Sequence, residues 1–393
     1  MSPSSGERTL PGPLLVGIAV ASIGGPLALG AQYLPVPLGD AVVSSGLATV
    51  IAIAAFAAPV AIWLSYSRRI ATAGGLTAFV EAGAGRGIAY AQAGVWAVSY
   101  ALYLPFTVTD VVYEHLPAVF PGLTGYRTEL ELALPVGICV LVLLRVTVAA
   151  VLLLISAVAQ LGLLLALGVV ELANAPQPAH SLAPHVGAGP LFDGALALSL
   201  LFVCASLPLF FGGEVRGGTR AMRGAILAAF CVVSAYLLVV AIPFAQMPPE
   251  LRSAEIPGMA IADAYSSHSL AVAIGLGSAV SIVGLIVIEF LALGRLAHYV
   301  LGVPIRGALA VIAVPFIAID AISLIDPEGI YESLLRPALI ALFIAQGVVF
   351  LVYPLYRRGL DRRGWIAPSM VAMLAAALMF YGLYNAITDK LFT

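Results

Sequence analysis

The sequence predicts an all-α integral membrane protein of about eleven membrane-spanning helices. Two five-helix repeats of opposite orientation are followed by one additional helix. Three observations lead there. Of 393 residues, 62% are hydrophobic and only 10% are charged, whereas a soluble domain carries roughly 25% charged residues. The apolar residues fall into runs near the roughly 20 residues that a helix needs to cross a bilayer. Two of these runs, the first and the sixth, are interrupted by Ser22-Ile23-Gly24-Gly25-Pro26 and by Ala205-Ser206-Leu207-Pro208.

Taken in order, the predicted spans are about 13–34, 41–65, 87–116, 130–145, 147–173, 191–213, 223–246, 269–299, 306–325, 331–355 and 365–388. The N-terminal tail covers 1–12, the first repeat 13–173, the second repeat 191–355, and the extra helix 365–388. The third and eighth runs are long enough to tilt or to leave the bilayer. Only Arg145 and its neighbours separate the fourth and fifth, which demands a tight turn or a count different by one. Five is an odd number, so a second set of five starts from the opposite side of the membrane. The repeat rests on span count and on the placement of the breaks, since the two halves share little direct similarity. The connections 174–190 and 247–268 are rich in Pro, Ala and Ser and read as surface loops containing at most a short helix.

Orientation follows from the basic residues, which concentrate on the cytoplasmic side. With the N-terminus inside, that side collects Arg8, Arg68, Arg69, Arg86, Arg145, Arg216, Arg220, Arg223, Arg295, Arg306, Arg357, Arg358, Arg362 and Arg363. The other side receives Arg127, Arg252, Arg336 and Lys390. The expected location is the cytoplasmic membrane, with the C-terminus outside. Trp63, Trp96 and Trp365 fall toward inner span ends and read as an interfacial aromatic belt.

A net charge of −2 gives no basis for nucleic-acid binding. Cys139, Cys204 and Cys231 lie in apolar runs without metal-ligand spacing and read as buried structural cysteines. The first apolar run is too long for a signal-peptide core and no small-residue cleavage site follows it. No zinc-protease, nucleophile-elbow or nucleotide-loop motif occurs, and His115, His180, His185 and His268 fall in outer loops or at span ends. Neither an enzyme activity, a metal nor a cofactor is expected.

The breaks point to a binding site. Gly and Pro interrupt the helical hydrogen-bond ladder. Freed backbone groups at membrane depth are tolerated only where protein buries them or a cavity needs them. A pair of interrupted spans in corresponding places is a pointer to a transporter's substrate site. The competing reading is local: both residue types also permit kinks and close helix packing.

Three stretches resemble the amino acid–polyamine–organocation (APC) permeases. They are Ala21-Ser22-Ile23-Gly24-Gly25-Pro26-Leu27, Ala73-Gly74-Gly75-Leu76-Thr77-Ala78-Phe79 with Gly85-Arg86 and Gly94-Val95-Trp96, and Phe202 through Phe210-Phe211-Gly212-Gly213-Glu214. A weaker fourth is Gly294-Arg295 with Tyr299. The likeness covers about residues 13 to 355. Pro26, Pro208 and the count of eleven spans depart from the family pattern and leave the substrate open. The resemblance implies the inverted-repeat fold of LeuT/APC type. It also implies a secondary active transporter for an amino acid or related amine. Spans one, two, six and seven would rock against three, four, eight and nine. Rival readings are a Na⁺-coupled or exchange-type permease of the same fold and a channel-like or sensing protein.

By the same resemblance, Ser22, Ile23, Gly24, Gly25 and Pro26 hold a carboxylate, because a helix N-terminus offers free N–H groups. The carbonyls of Cys204, Ala205 and Ser206 receive an amine. Phe202, Phe210 and Phe211 shape or gate the pocket, and Tyr100 and Tyr103 line the path. Gly25→Leu is expected to remove binding and leave the fold intact. Glu289, in the eighth run, is the foremost ion or proton candidate, since ionisable groups at membrane depth are functional candidates by default; the alternative is a structural partner on a neighbouring helix. Ser278 and Ser281 are candidate Na⁺ ligands, or helix-packing hydroxyls. The fifth run has Ser156 and Gln160 but no Lys, so a lysine standing in for the ion is absent. H⁺ is the first expectation for the coupling ion and Na⁺ the second. Glu214 is expected to pair with Arg68 or Arg69 as an inner gate. Asp110, Glu114, His115 and Asp320 are read as interfacial.

Overall fold

The computed structural model describes residues 9–143, 146–361, 364 and 366–388. Arg8, Arg145, Arg362, Arg363, Trp365 and Lys390 lie outside them. Among the described residues, ten helical stretches are long and apolar enough to cross a membrane: Gly12–Tyr33, Pro35–Tyr66, Arg86–Val119, Val146–Asn174, Ala188–Phe211, Gly218–Phe244, His268–Leu301, Ile305–Ser323, Pro327–Leu360 and Ile366–Thr388. Arg127–Leu143, with 17 residues, is a further helix in the position expected for the fourth span. We number the spans one to eleven in chain order, with Arg127–Leu143 as span four. The predicted all-α architecture is therefore observed.

Both expected breaks exist, and they differ in kind. In span one the α-helix Gly12–Ala21 ends in a turn and restarts at Pro26. Gly24 and Gly25 take φ of 60° and 58°, the left-handed region that side chains resist. Proline suits the restart, because the first helical residue has no use for an N–H. The amides of that new first turn are left without helical acceptors.

In span six the α-helix stops at Leu200, several residues before the predicted break. Leu201 and Phe202 turn, and Val203–Phe211 continues as a 3-10 helix. Pro208 acts upstream of its own position. It offers no N–H, and its ring crowds the carbonyl four residues earlier, so the stretch before it abandons α geometry. In the i to i+3 pattern that replaces it, Pro208 has no N–H to donate to the Ala205 carbonyl.

The two breaks meet. A Cβ on Gly24 would lie 3.4 Å from the Leu201 carbonyl oxygen. The spans run antiparallel, as an inverted repeat requires: Leu10, just before span one, pairs with Val215, just after span six. Leu10 donates its N–H to the Glu214 carbonyl at 3.0 Å, and Arg216 donates to the Leu10 carbonyl at 2.8 Å. This end of the molecule carries most of the arginines, and we call it the arginine-rich side. The helix Gly75–Ala84 packs there against the 3-10 half of span six. Pro178–Leu182, Pro249–Arg252 and Pro257–Tyr265 supply the short helical segments expected in the two loops on the opposite side.

Several buried groups correct the expectations. Trp63 and Trp96 are fully enclosed and form no interfacial belt. Cys231 is exposed on span seven, unlike Cys139 and Cys204. Asp320 is completely buried beside Glu131 of span four; Ser323 donates to Glu131 Oε1 at 3.0 Å and to the Asp320 carbonyl at 2.7 Å. Span nine packs on span four, and that contact covers a residue whose sequence neighbours are polar.

Gly25 is the tightest point of the break. A Cβ there would meet the Ser281 hydroxyl and come within 2.9 Å of the Ser281 carbonyl oxygen. The expectation that Gly25→Leu leaves the fold intact is therefore revised. Gly25→Ala combines positive-φ strain with overpacking and should lower stability by about 2–4 kcal/mol. The measurement is the thermal unfolding midpoint of purified protein, with the unpacked Gly94→Ala as control, for which no substantial shift is expected.

Candidate functional site

The meeting breaks form the floor of a cavity of about 840 Å³. Gly24, Leu201, Val203 and Cys204 line it at the breaks, Tyr103 and Phe106 from span three, Ile282 and Leu285 from span eight, and Leu339 and Phe343 from span ten. Its mouth lies away from the arginine-rich side, among Glu114, Pro249, Arg252, Ser253 and Glu255.

The wall carries a carboxylate that sequence reasoning placed at the interface. Asp110 is 5% exposed and faces this cavity. Tyr33 of span one donates to its Oδ2 at 2.7 Å, and Tyr331 of span ten donates to its Oδ1 at 3.1 Å. His115 is buried with Nδ1 3.5 Å from Oδ2. A carboxylate has about four lone-pair sites, so two tyrosine hydroxyls leave acceptor capacity. Gln32, one residue from Tyr33, also lines the cavity, and its buried Oε1 has no hydrogen-bond partner among the described residues. Phe106 stacks on Tyr331 with centroids 4.5 Å apart. Asp110 precedes the π-helical turn Val111–His115, and Tyr33 ends the π-helical turn Leu29–Tyr33. Such turns rotate side chains off the regular α register and are frequent at functional sites.

At the mouth, Arg252 has a buried Nε and Nη1 without partners among the described residues, and burial lowers its pKa. Burial and the neighbouring Glu114 push the Glu255 carboxyl above its usual range. The charged lining is therefore three carboxylates and one guanidinium, and Arg252 is less exposed than Glu114 and Glu255.

Toward the arginine-rich side the path is closed. Phe210 packs against Trp96 with centroids 4.5 Å apart, and Gly75 leaves room for its ring. Beyond it, the fully buried Arg295 of span eight reaches Glu214 at 2.8 Å and lies 3.9 Å above the Phe211 ring. Tyr299 donates to Glu81 at 2.6 Å. The expected pairing of Glu214 with Arg68 or Arg69 is not formed; its partner is Arg295. Arg68 and Arg69 are exposed and face elsewhere. The reason is tertiary: span eight brings an arginine beneath the 3-10 half of span six, whereas the loop after span two stays at the surface.

The other expected site residues divide. Gly24, Tyr103 and Cys204 line the cavity. Ser22 is buried and caps its own helix, donating to the Ala19 carbonyl at 2.8 Å. Ile23, Gly25 and Pro26 are buried beside the cavity without lining it. Tyr100 stacks on Trp96 and donates to Cys204 Sγ at 3.7 Å. Phe202 turns away to pack with Phe56 and Phe230. Ala205 is buried, and Ser206 accepts from Gln346 at 2.7 Å.

Glu289 is fully buried on span eight, with Oε1 4.0 Å from Cys204 Sγ and Oε2 without a hydrogen-bond partner among the described residues. Cys204 lies between Glu289 and the cavity that it lines. Ser281 touches the first break but donates to Gln160 of span five at 2.6 Å; Gln160 in turn donates to Ser156 at 2.7 Å. Ser278 donates to the Ile274 carbonyl of its own helix at 2.9 Å. Both serine hydrogens are thus committed internally. Among the described residues there is no group of three or more metal-ligating side chains.

No protein-family model matches the sequence, and no curated protein shows significant similarity to it. Solved structures share the fold. MhsT in complex with L-phenylalanine superposes with a TM-score of 0.62 at 12% identity, covering 96% of this chain and 98% of that one. This chain has the LeuT fold. Mhp1, a nucleobase-cation-symport-1 family transporter in a closed conformation with bromovinylhydantoin bound, gives 0.52 at 12% identity over 100% and 97% of the two chains. A Na⁺-coupled sialic acid symporter in a substrate-bound outward-open state gives 0.54 at 10% identity over 96% and 95%. At these identities the likeness concerns the fold.

The Glu214–Arg295 pair generates a stability prediction. Arg295 is fully buried, so removing its partner leaves an uncompensated charge, which destabilises by about 3–5 kcal/mol. Glu214→Ala should lower the unfolding midpoint markedly. The double variant Glu214→Leu, Arg295→Met should recover most of the loss, because an apolar pair of similar volume leaves no charge behind. Equal midpoints for wild type and Glu214→Ala would show that the pair is not a structural lock.

Proposed function

We propose that this protein is a secondary active transporter that moves an amino acid or related amine across the cell membrane by alternating access, coupled to protons. The observation that carries the reading is the meeting of two interrupted helices at the floor of a cavity open to one side and closed to the other. With the N-terminus cytoplasmic, as the arginines suggest, the cavity faces outward and the Glu214–Arg295 pair closes the inside.

The lining chemistry supports an amine. Asp110, the unpartnered Gln32 Oε1 and the carbonyls ending the helix at Leu200 are acceptors. Tyr33, Tyr103, Phe106 and Tyr331 supply aromatic faces, which attract cations. The first-turn amides after Gly25 and the Arg252 guanidinium are donors suited to a carboxylate. An amino acid uses both sets; a simple amine uses the first.

Proton coupling is supported by Glu289. It is an ionisable group at membrane depth, beside the site, with one oxygen that has no partner among the described residues. The rival Na⁺-coupled reading rests on Ser281, which abuts the first break. Its hydroxyl donates to Gln160 and keeps its oxygen lone pairs for a cation, so the preference for the proton rests on Glu289.

The test is uptake into proteoliposomes across a panel of amino acids and amines. Saturable uptake driven by an inward proton gradient and indifferent to Na⁺ is the expected result; uptake that follows Na⁺ alone would replace the proton reading. Glu289→Gln should abolish acceleration by the pH gradient and leave exchange between internal and external substrate measurable. Asp110→Asn should raise KM for an aminated substrate at least about tenfold, the scale of losing one partner of a buried charge pair. Unchanged KM would remove Asp110 from the amine seat.

A further inference from the structure

A second cavity, of about 350 Å³, lies at the arginine-rich end between spans two, ten and eleven. Its lining includes Ser65 and Arg68 at the end of span two, Tyr353 and Arg357 on span ten, and Pro368 and Val371 on span eleven. We propose that this cavity is a binding site for an anionic glycerophospholipid, with the phosphate held between Arg68 and Arg357.

Four observations carry this. The charged residues of the lining are both arginines, with no acidic side chain among them. Arg357 is partly buried, and its Nε has no hydrogen-bond partner among the described residues, so a donor is held at the site without an acceptor. Tyr353 donates to Ser65 Oγ at 2.7 Å, which ties spans two and ten together at the cavity's polar end. The remaining wall is apolar and includes Ala61 and Ala367, which are exposed on the outer surface of the helices. A polar head that meets two guanidiniums and a tail that runs along exposed apolar helix is the plan of a phospholipid at the membrane edge. Basic pockets between spanning helices on the cytoplasmic side bind anionic lipid headgroups for this reason.

The site gives Arg68 a role other than the gate expected from sequence. It also gives the additional helix, span eleven, a ligand to help enclose. The site is separate from the central cavity and does not depend on the transport reading.

The experiment uses the full chain, delipidated in detergent and titrated with phosphatidylglycerol, phosphatidylcholine or inorganic phosphate. Bound lipid is counted by native mass spectrometry, and the unfolding midpoint is followed in parallel. Phosphatidylglycerol should be retained and should raise the midpoint, and phosphatidylcholine should do neither. Each juxtamembrane arginine contributes about 1 kcal/mol, or roughly a fivefold change in affinity. Arg68→Gln and Arg357→Gln should each weaken binding about fivefold, and together about thirtyfold. The Arg68→Lys, Arg357→Lys variant keeps the charges and should retain binding, which guards against loss through misfolding. Equal retention of both lipids, or undiminished binding by the double glutamine variant, would overturn the proposal. Stabilisation by inorganic phosphate as strong as by the lipid would assign the arginines to a free anion and overturn it equally.

Discussion

The structure depends on one constraint: a helix interrupted inside hydrocarbon has to hide the backbone groups it frees. Gly24-Gly25-Pro26 frees amides at a helix start, and the end of the α-helix at Leu200 frees carbonyls. Each break answers the other, because spans one and six run antiparallel and meet where both are interrupted. The packing around them follows. Ser281 presses on Gly25 from span eight, and Gly24 sits on Leu201. The cavity exists because two unwound segments, each thinner than a helix with side chains, face each other.

A second theme is how ionisable side chains are kept at membrane depth. Asp110 is held by two tyrosine hydroxyls from different spans and borders the cavity. Arg295 is matched by Glu214 and a phenyl face. Glu289 has a thiol nearby and one oxygen that has no partner among the described residues. Under the proposed transport function these arrangements would serve recognition of a positive group, closure of a path and uptake of a proton. The 3-10 half of span six connects all three, since Cys204 faces Glu289 and the cavity while Phe210 and Phe211 form the closed end.

Some of the site was legible from residue order alone. Gly24-Gly25-Pro26 could be read because left-handed glycines before a helix-starting proline are a local signal. Glu289 could be read because an acid in a long apolar run is exceptional. The same rule applied to Asp110 in Thr107-Val108-Thr109-Asp110-Val111-Val112, but nearby Glu114 and His115 made the stretch look interfacial. Tyr33, Gln32 and Tyr331 gave no comparable signal. Their significance lies in pointing at one carboxylate from spans one and ten, a relation between distant parts of the chain. The end of the sixth α-helix was misplaced because a proline's influence reaches back along the ladder by an amount that packing decides.

The sequence by itself determined the membrane character, the near-eleven-helix plan, the paired breaks and the concentration of arginines at one end. These follow from composition, run length and residues whose backbone preferences are strong and local. Tertiary structure decided which groups meet: Glu214 with Arg295 instead of Arg68 or Arg69, Ser281 with Gln160, and Asp110 with two tyrosines. The physical reason is that hydrocarbon dictates only that polar groups be satisfied. Which partner satisfies them depends on the rotation and depth of each span, and those are set by side-chain packing between helices distant in sequence.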